Sequence, residues 1–262
     1  MTDPEPSSSA AQLAAGAYRL AALDQDFLLG DSTRGLRFQL EYQKSHEALL
    51  AFGVVSTIVC FGSARVREKG PGRQAFWYDQ ARAFGRLASI EGGAARGGPP
   101  FANVIATGGG PGIMEAANRG ASEAGAPTIG LNITLPREQA PNSYTTPELT
   151  FRFHYFAMRK MHFAMGAKAL VVFPGGFGTF DELFELLTLV QTGKMSRIPI
   201  VLVDQAYWGK VVNWQGLAEE GVISADDLRL VDFAADAAEA WQILKRAGIA
   251  ASPAREPPRH SP

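Results

Sequence analysis

The chain holds a single cysteine, Cys60, among 262 residues. One thiol excludes an intrachain disulfide and fits a reducing compartment. Four histidines, His46, His154, His162 and His260, lie scattered, and with one cysteine they make no zinc-ligand spacing. Net charge is also lacking: 25 basic against 26 acidic residues leave a formal -1, so no overall field draws the chain to nucleic acid or anionic lipid. A nucleotide-like ligand must therefore be held locally. No apolar run approaches the roughly 20 residues that span a bilayer. The opening "MTDPEPSSSA" has acids and prolines where a secretion signal has a basic start and an apolar stretch. The expectation is a cytoplasmic protein with no nucleic-acid or membrane partner, no metal and no cofactor.

What is present is a hydrophobic content of 46%, enough to fill a core. Residues 1–13 and 251–262 are rich in Pro, Ser and charge, a composition that reads as disordered tails. From 14 to 52, Leu36, Leu40, Leu49, Leu50 and Phe52 recur at helical spacing between charged residues, with Asp31 as a cap between two helices. This segment reads as a helical extension. Residues 53–250 then alternate short β-branched runs, "STIVCF", "NVIAT", "PTIGLNI", "ALVVF" and "IPIVLV", with helical patterns at 73–90, 113–124, 154–166, 179–191, 206–219 and 235–247. Continuous apolar strands between amphipathic helices imply an α/β fold, a parallel sheet with helices on both faces. The insert at 91–100 reads as a mobile surface loop, and 135–148 as a longer excursion from the edge where such sheets keep their ligands.

Three of the strands run into small residues, at Gly62-Ser63-Ala64-Arg65, at Gly108-Gly109-Gly110-Pro111-Gly112 and at Pro174-Gly175-Gly176-Phe177-Gly178-Thr179. In a parallel sheet these junctions share one edge, and each feeds a helix start with unpaired amides and a partial positive dipole. Glycine lets the backbone approach an anion, so the junctions read as phosphate cradles; plain tight strand-to-helix turns are the alternative. The dinucleotide fingerprint fails, because Glu115 and Asp181 stand where a third glycine belongs. The P-loop pattern fails at Thr188 and Met195 around Lys194.

Thr179 and Glu182 stand three apart, at capping-box spacing, ahead of the apolar face Leu183, Leu186, Leu187 and Val190. Either the pair caps a helix or the carboxylate has chemistry to do beside the cradle. Arg159 and Lys160 lie on an expected helix among Met158, Met161, Phe163 and Met165. A basic pair is usually a solvated face, but these surroundings are apolar.

Together these residues resemble the Lonely Guy (LOG) family, the cytokinin riboside 5′-monophosphate phosphoribohydrolases long described as possible lysine decarboxylases. The resemblance rests on Pro-Gly-Gly-x-Gly-Thr-x-x-Glu at 174–182, on the preceding Arg159-Lys160, on Gly-Gly-Gly-Pro-Gly-Ile-Met at 108–114 and on Gly-Ser-Ala-Arg at 62–65. It implies a modified Rossmann-like fold and hydrolysis of the N-glycosidic bond of a nucleoside 5′-monophosphate, giving free base and ribose 5-phosphate. It further implies Arg159 and Glu182 as the catalytic pair. Gly175, Gly176, Gly178, Thr179 and Lys160, with Gly109, Gly110, Gly112, Gly62 and Ser63, are then the substrate and phosphate contacts. The resemblance also implies a homodimer or a higher assembly of dimers. Phe156-Ala157-Met158 departs from the Met-His-Glu of the short plant-like members, and the chain resembles the longer bacterial branch, which leaves AMP and cytokinin nucleotides both open as substrates.

Two rival functions stand beside this one. A lysine decarboxylase needs a Schiff-base lysine for pyridoxal phosphate, for which Lys160 and Lys168 are the candidates. A non-catalytic carrier of a phosphorylated cofactor, such as a molybdenum cofactor carrier, needs the cradle but has no use for the Arg159 and Glu182 pair. Cys60, inside an apolar strand, reads as a packed core thiol. Trp208, Trp214 and Trp241 read as core or subunit contacts.

Overall fold

The computed structural model describes residues 9–134 and 140–249. The expected tails therefore fall largely, and the expected excursion in part, outside the described residues. The chain forms two compact units, one up to residue 43 and one from residue 44 onward.

In the first unit, α1 (Ala10–Ala14) and α2 (Gln25–Leu29) are single turns separated by 3-10 segments, and the long helix α3 (Arg34–Phe52) begins there and runs past residue 43. Asp31 is not the cap expected between two helices. Its carboxylate pairs at 2.8 Å with Arg34, both side chains exposed, and the cap on α2 is Asp24, which accepts from the Phe27 amide. Arg37 closes the turn between α2 and α3 by donating to the carbonyls of Leu28 and Gly30, each at 2.7 Å.

The second unit runs β1 (Thr57–Phe61), α4 (Gln74–Gly92), β2 (Val104–Thr107), α5 (Ile113–Glu123), β3 (Thr128–Ile133), β4 (Thr150–Phe153), α6 (Phe156–Gly166) and β5 (Ala167–Val172). It continues through α7 (Phe177–Gln191), β6 (Ile200–Val203), α8 (Gln205–Val211), α9 (Trp214–Glu219), β7 (Asp232–Ala234) and α10 (Ala237–Arg246). The strands form one seven-stranded sheet in the order β4-β3-β2-β1-β5-β6-β7, and every neighbouring pair is parallel. The order reverses between β1 and β5, the switch point at which doubly wound sheets open a crevice for ligands.

Strand alternation divides the core between the two faces. Ile58, Cys60, Ala169, Val171, Val201 and Val203 point to one side, against Phe84, Ala117 and Trp241. Val59, Phe61, Leu170, Val172, Ile200 and Leu202 point to the other, against Phe163, Leu183 and Trp208. β1 and β6 are buried along their whole length and β5 at every position but Lys168, which is why their sequences read as apolar runs. Cys60 has no exposed surface, and burial pushes its thiol far above the ordinary range; it is a packing residue.

Several elements differ from the sequence expectation. β4 and β7 were not anticipated: both are short edge strands, and exposed Arg152 and Asp232 interrupt their apolar pattern. The helix expected over 206–219 is two helices: Val212 is extended, and the Asn213 side chain caps α9 by accepting from the Gly216 amide at 3.0 Å. The insert at 91–100 is not wholly a surface loop, since α4 runs two residues into it and Ala94 is fully buried. No described helix is long and apolar enough to cross a membrane.

On the Phe84 face α4 and α5 are close enough for their backbones to touch. A Cβ on Gly120 would overlap the Arg82 carbonyl, and one on Gly85 the Ala117 carbonyl. Arg82 fastens the pair through a 2.7 Å bond to Glu123. In an ordinary helix interior Gly→Ala gains about 1 kcal/mol; here the overlap reverses the sign. Gly120→Ala is expected to destabilise the protein by about 1–3 kcal/mol, read as a lower urea midpoint at unchanged slope.

Candidate active site

The three glycine junctions follow β1, β2 and β5, which are adjacent in the sheet, and backbone hydrogen bonds tie them together. The Ser63 amide donates to the Pro174 carbonyl and the Ile113 amide donates to the Ser63 carbonyl, both at 3.1 Å. Gly112 makes the second bond possible: its φ is +73°, and a Cβ there would collide with the Ser63 carbonyl and Ala64. The triple-glycine loop is held from behind by Asn142, whose amide donates to the Gly109 carbonyl at 2.8 Å and whose side chain donates to that of Gly110 at 3.0 Å.

A cavity of about 530 Å³ opens over these junctions. Gly62, Ser63 and Arg65 line one side, Gly176, Gly178 and Thr179 another, and Arg159 and Glu182 stand between them. Gly176 and Gly178 differ from Gly62, Gly108, Gly109, Gly112 and Gly175, where a Cβ would meet a close neighbour. Neither has a positive φ, and a Cβ on either would meet nothing within 4 Å. Neither packing nor backbone conformation requires glycine there, so what the missing side chains provide is access. The opening amides of α7, at Phe177 and Gly178, come before the first amide bonded within the helix, that of Thr179, and both residues line the cavity, so these donors are left for a ligand.

Arg159, on α6, donates through Nη2 to Glu182 Oε1 on α7 at 2.7 Å, with both side chains largely buried. The guanidinium lies near the rings of Phe156 and Phe163, 5.2 and 5.7 Å from their centroids. Its Nε is buried without a hydrogen-bond partner. Burial lifts the Glu182 carboxyl above the ordinary glutamate range, and the opposing charges of Arg159 and Lys160 offset only part of that effect.

The capping reading of Thr179 and Glu182 fails. α7 begins at Phe177 with Gly176 as its cap and no side-chain capping bond, so Glu182 lies in the second turn, beyond reach of the cap amide. Lys160 lies beside the pair but does not line the cavity. Its ammonium sits between Asp181 and Glu185, 2.9 Å from each, on the outward side of α7. Gly109, Gly110, Gly112 and Gly175 likewise shape the loops without lining the cavity. Residues missed by sequence reasoning are Gly108, Met114 and Phe163, which fill the wall beside Arg159, and Phe177, 96% exposed at the mouth. Arg65 was visible in the first junction but had no role attached to it.

Behind the third junction stands a brace. The Tyr207 hydroxyl on α8 donates to the Gly175 carbonyl at 2.5 Å, and its ring packs edge-on against Trp77. The helix start beneath it is fixed by buried Asp204, in the left-handed conformation at φ +74°, which accepts from the Trp77 indole at 2.7 Å and from Arg73 at 2.8 Å.

With this geometry established, comparison with known proteins is informative. A family model described as "Possible lysine decarboxylase" matches residues 114–244. The chain belongs to that family. The cytokinin riboside 5′-monophosphate phosphoribohydrolase LOG2 of Arabidopsis thaliana is 26% identical over 146 residues, covering 55% of this chain and 67% of that one. The solved structure of TM1055 superposes with a TM-score of 0.51 at 23% identity, over 73% of this chain and 99% of that one, a likeness of fold. A molybdenum cofactor binding protein from Rippkaea orientalis superposes at 0.49 and 18% identity, over 73% and 96%. The family's description implies pyridoxal phosphate, and the cavity does not fit it. No lysine is among the lining residues, Lys160 is committed to two carboxylates, and exposed Lys168 lies on β5 outside the cavity.

The raised Glu182 carboxyl has a consequence for stability. Between the unfolded glutamate value and the higher folded one, the native state holds a proton the unfolded state has lost, so stability falls as pH rises through that window. Glu182→Gln removes the penalty. The variant is expected to be at least as stable as the parent at pH 7, with the difference vanishing below about pH 4; thermal melts across pH check this.

Proposed function

We propose that this protein hydrolyses the N-glycosidic bond of a nucleoside 5′-monophosphate, AMP or a cytokinin riboside 5′-monophosphate, to the free base and ribose 5-phosphate. The observation that carries the reading is the buried pair of Arg159 and Glu182 inside a cavity floored by three glycine junctions, two of which run directly into the starts of α5 and α7, while the first is separated from α4 by residues 66–73. A cradle that only carried a phosphorylated ligand would gain nothing from a desolvated carboxylate at its centre. A glycosidic cleavage does gain from one.

In that reaction water attacks C1′ of the ribose, the C1′–N bond breaks, and its electron pair leaves with the base, which takes up a proton. Positive charge develops on the ribose ring before the new C–O bond is complete. The Glu182 carboxylate, in its ionised form and in a water-poor site, stabilises that charge and can orient the attacking water. Arg159 fixes the Glu182 carboxylate and keeps it ionised, while its unpartnered Nε remains as a donor for a ribose or phosphate oxygen. The open backbone at Gly176 and Gly178 admits the phosphate to the α7 amides, a handle whose binding energy lowers the barrier at C1′.

Incubation with AMP is expected to release adenine, with adenosine cleaved far less efficiently in kcat/KM. Binding of AMP without release identifies a carrier, and equal cleavage of adenosine removes the phosphate handle. Glu182→Gln and Arg159→Ala should each lower kcat by roughly 10² or more. The double variant should lose much less than the product of the two, because both act on one transition state.

The reading extends to assembly. Phe156, Met161 and Met165 leave α6 with partly exposed apolar surface, and we propose that a second copy covers it in a dimer or an assembly of dimers. Light scattering at micromolar concentration should show no predominant 28.1 kDa species.

A further inference from the structure

A nucleoside 5′-monophosphate brings close to two negative charges, because its second phosphate ionisation falls near pH 6. Helix-start amides supply donors and about half a positive charge each, without a full cation. Three of the cavity-lining residues bear formal charge: Arg65, Arg159 and Glu182. Arg159 and Glu182 neutralise one another at 2.7 Å, and Lys160, which the sequence placed on the phosphate, is held by Asp181 and Glu185 outside the cavity. Without Arg65, the lining offers a dianion no net positive charge.

We propose that Arg65 is the cation that binds the 5′-phosphate, an assignment that rests on the nucleotide reading above. Arg65 follows β1 directly in the first junction, and its backbone amide is fixed by the Ser63 hydroxyl at 3.0 Å. Among the described residues its guanidinium has neither a hydrogen bond nor an ion pair, and the side chain is exposed. It borders both the main cavity and a neighbouring one that contains Arg67 and Glu115. The acid in that second cavity is engaged elsewhere, accepting from the Tyr78 hydroxyl at 2.9 Å. An uncommitted planar fork beside open helix-start amides matches a phosphate's oxygens. It also sets the substrate's direction: phosphate between Arg65 and the α7 amides, which line the same cavity, and the C1′ end toward Glu182.

The test compares the parent with Arg65→Gln and Arg65→Lys by calorimetric titration with AMP, ribose 5-phosphate and adenosine at low and high salt, alongside adenine release. The expected result is a roughly 10- to 100-fold loss of AMP and ribose 5-phosphate affinity in Arg65→Gln, partly restored in Arg65→Lys, with adenosine affinity unmoved and salt sensitivity reduced. Equal losses for adenosine and AMP, or undiminished ribose 5-phosphate binding by Arg65→Gln, overturn the assignment. If the parent binds AMP but releases no adenine, the hydrolytic reading falls while the affinity pattern still decides Arg65. If the parent binds none of the phosphorylated probes, both fall.

Discussion

The Ser63 peptide is the crosspiece on which the site depends. Its N–H donates to Pro174 and its carbonyl accepts from Ile113, so one residue joins the ends of three adjacent strands. The second of these bonds forms only because the chain at 112 lacks a side chain. Loop ends of a parallel sheet normally spread apart, each following its own helix. Here they are drawn into one floor, and α5 and α7 start directly from it.

The buried pair across that floor is not there for stability. Removing two charges from water costs several kcal/mol each, and a single contact between them seldom recovers that cost. The raised Glu182 carboxyl reflects the deficit directly. The structure carries the deficit inside a cavity rather than in closed core, where apolar residues of similar size would serve packing better. Its neighbour on α6 shows the contrast: Lys160 meets two carboxylates at the surface-facing side of α7 and costs the fold little. Adjacent residues of one helix thus hold ion pairs of two different kinds.

Much of the fold was legible because period and burial agree. Fully buried strands write themselves as apolar runs, and the helices between them carry a clear outer face. Legibility failed where a local signal competed with the period. Asn213 breaks a helical pattern by capping a new start, and in the edge strands β4 and β7 exposed Arg152 and Asp232 interrupt the apolar pattern. At the site, spacing alone could not separate a cap from a cavity-lining carboxylate, because the distinction turned on where α7 begins. Two residues of extra helix, starting at Phe177, move Glu182 from the rim to the second turn. Likewise the Arg159-Lys160 dipeptide reads as a unit, yet successive residues on a helix point about 100° apart, so one faces the cavity and the other faces away. The floor was legible in its glycines; the free cation on it was not, since nothing in a sequence shows which arginine lacks a partner.

The brace under the third junction changes what counts as the motif. The Gly175 carbonyl is held by Tyr207, whose helix is anchored through Asp204 to Trp77 and Arg73, residues that stand far from the glycines on either side in the chain. The nine residues from Pro174 to Glu182 are therefore a surface feature of a larger truss. Transplanted into another sheet, they would carry the amides and the acid but not the tension that keeps the bend in shape. What holds together as a unit is the arch from α4 over β6 to α8, with the short motif as its keystone.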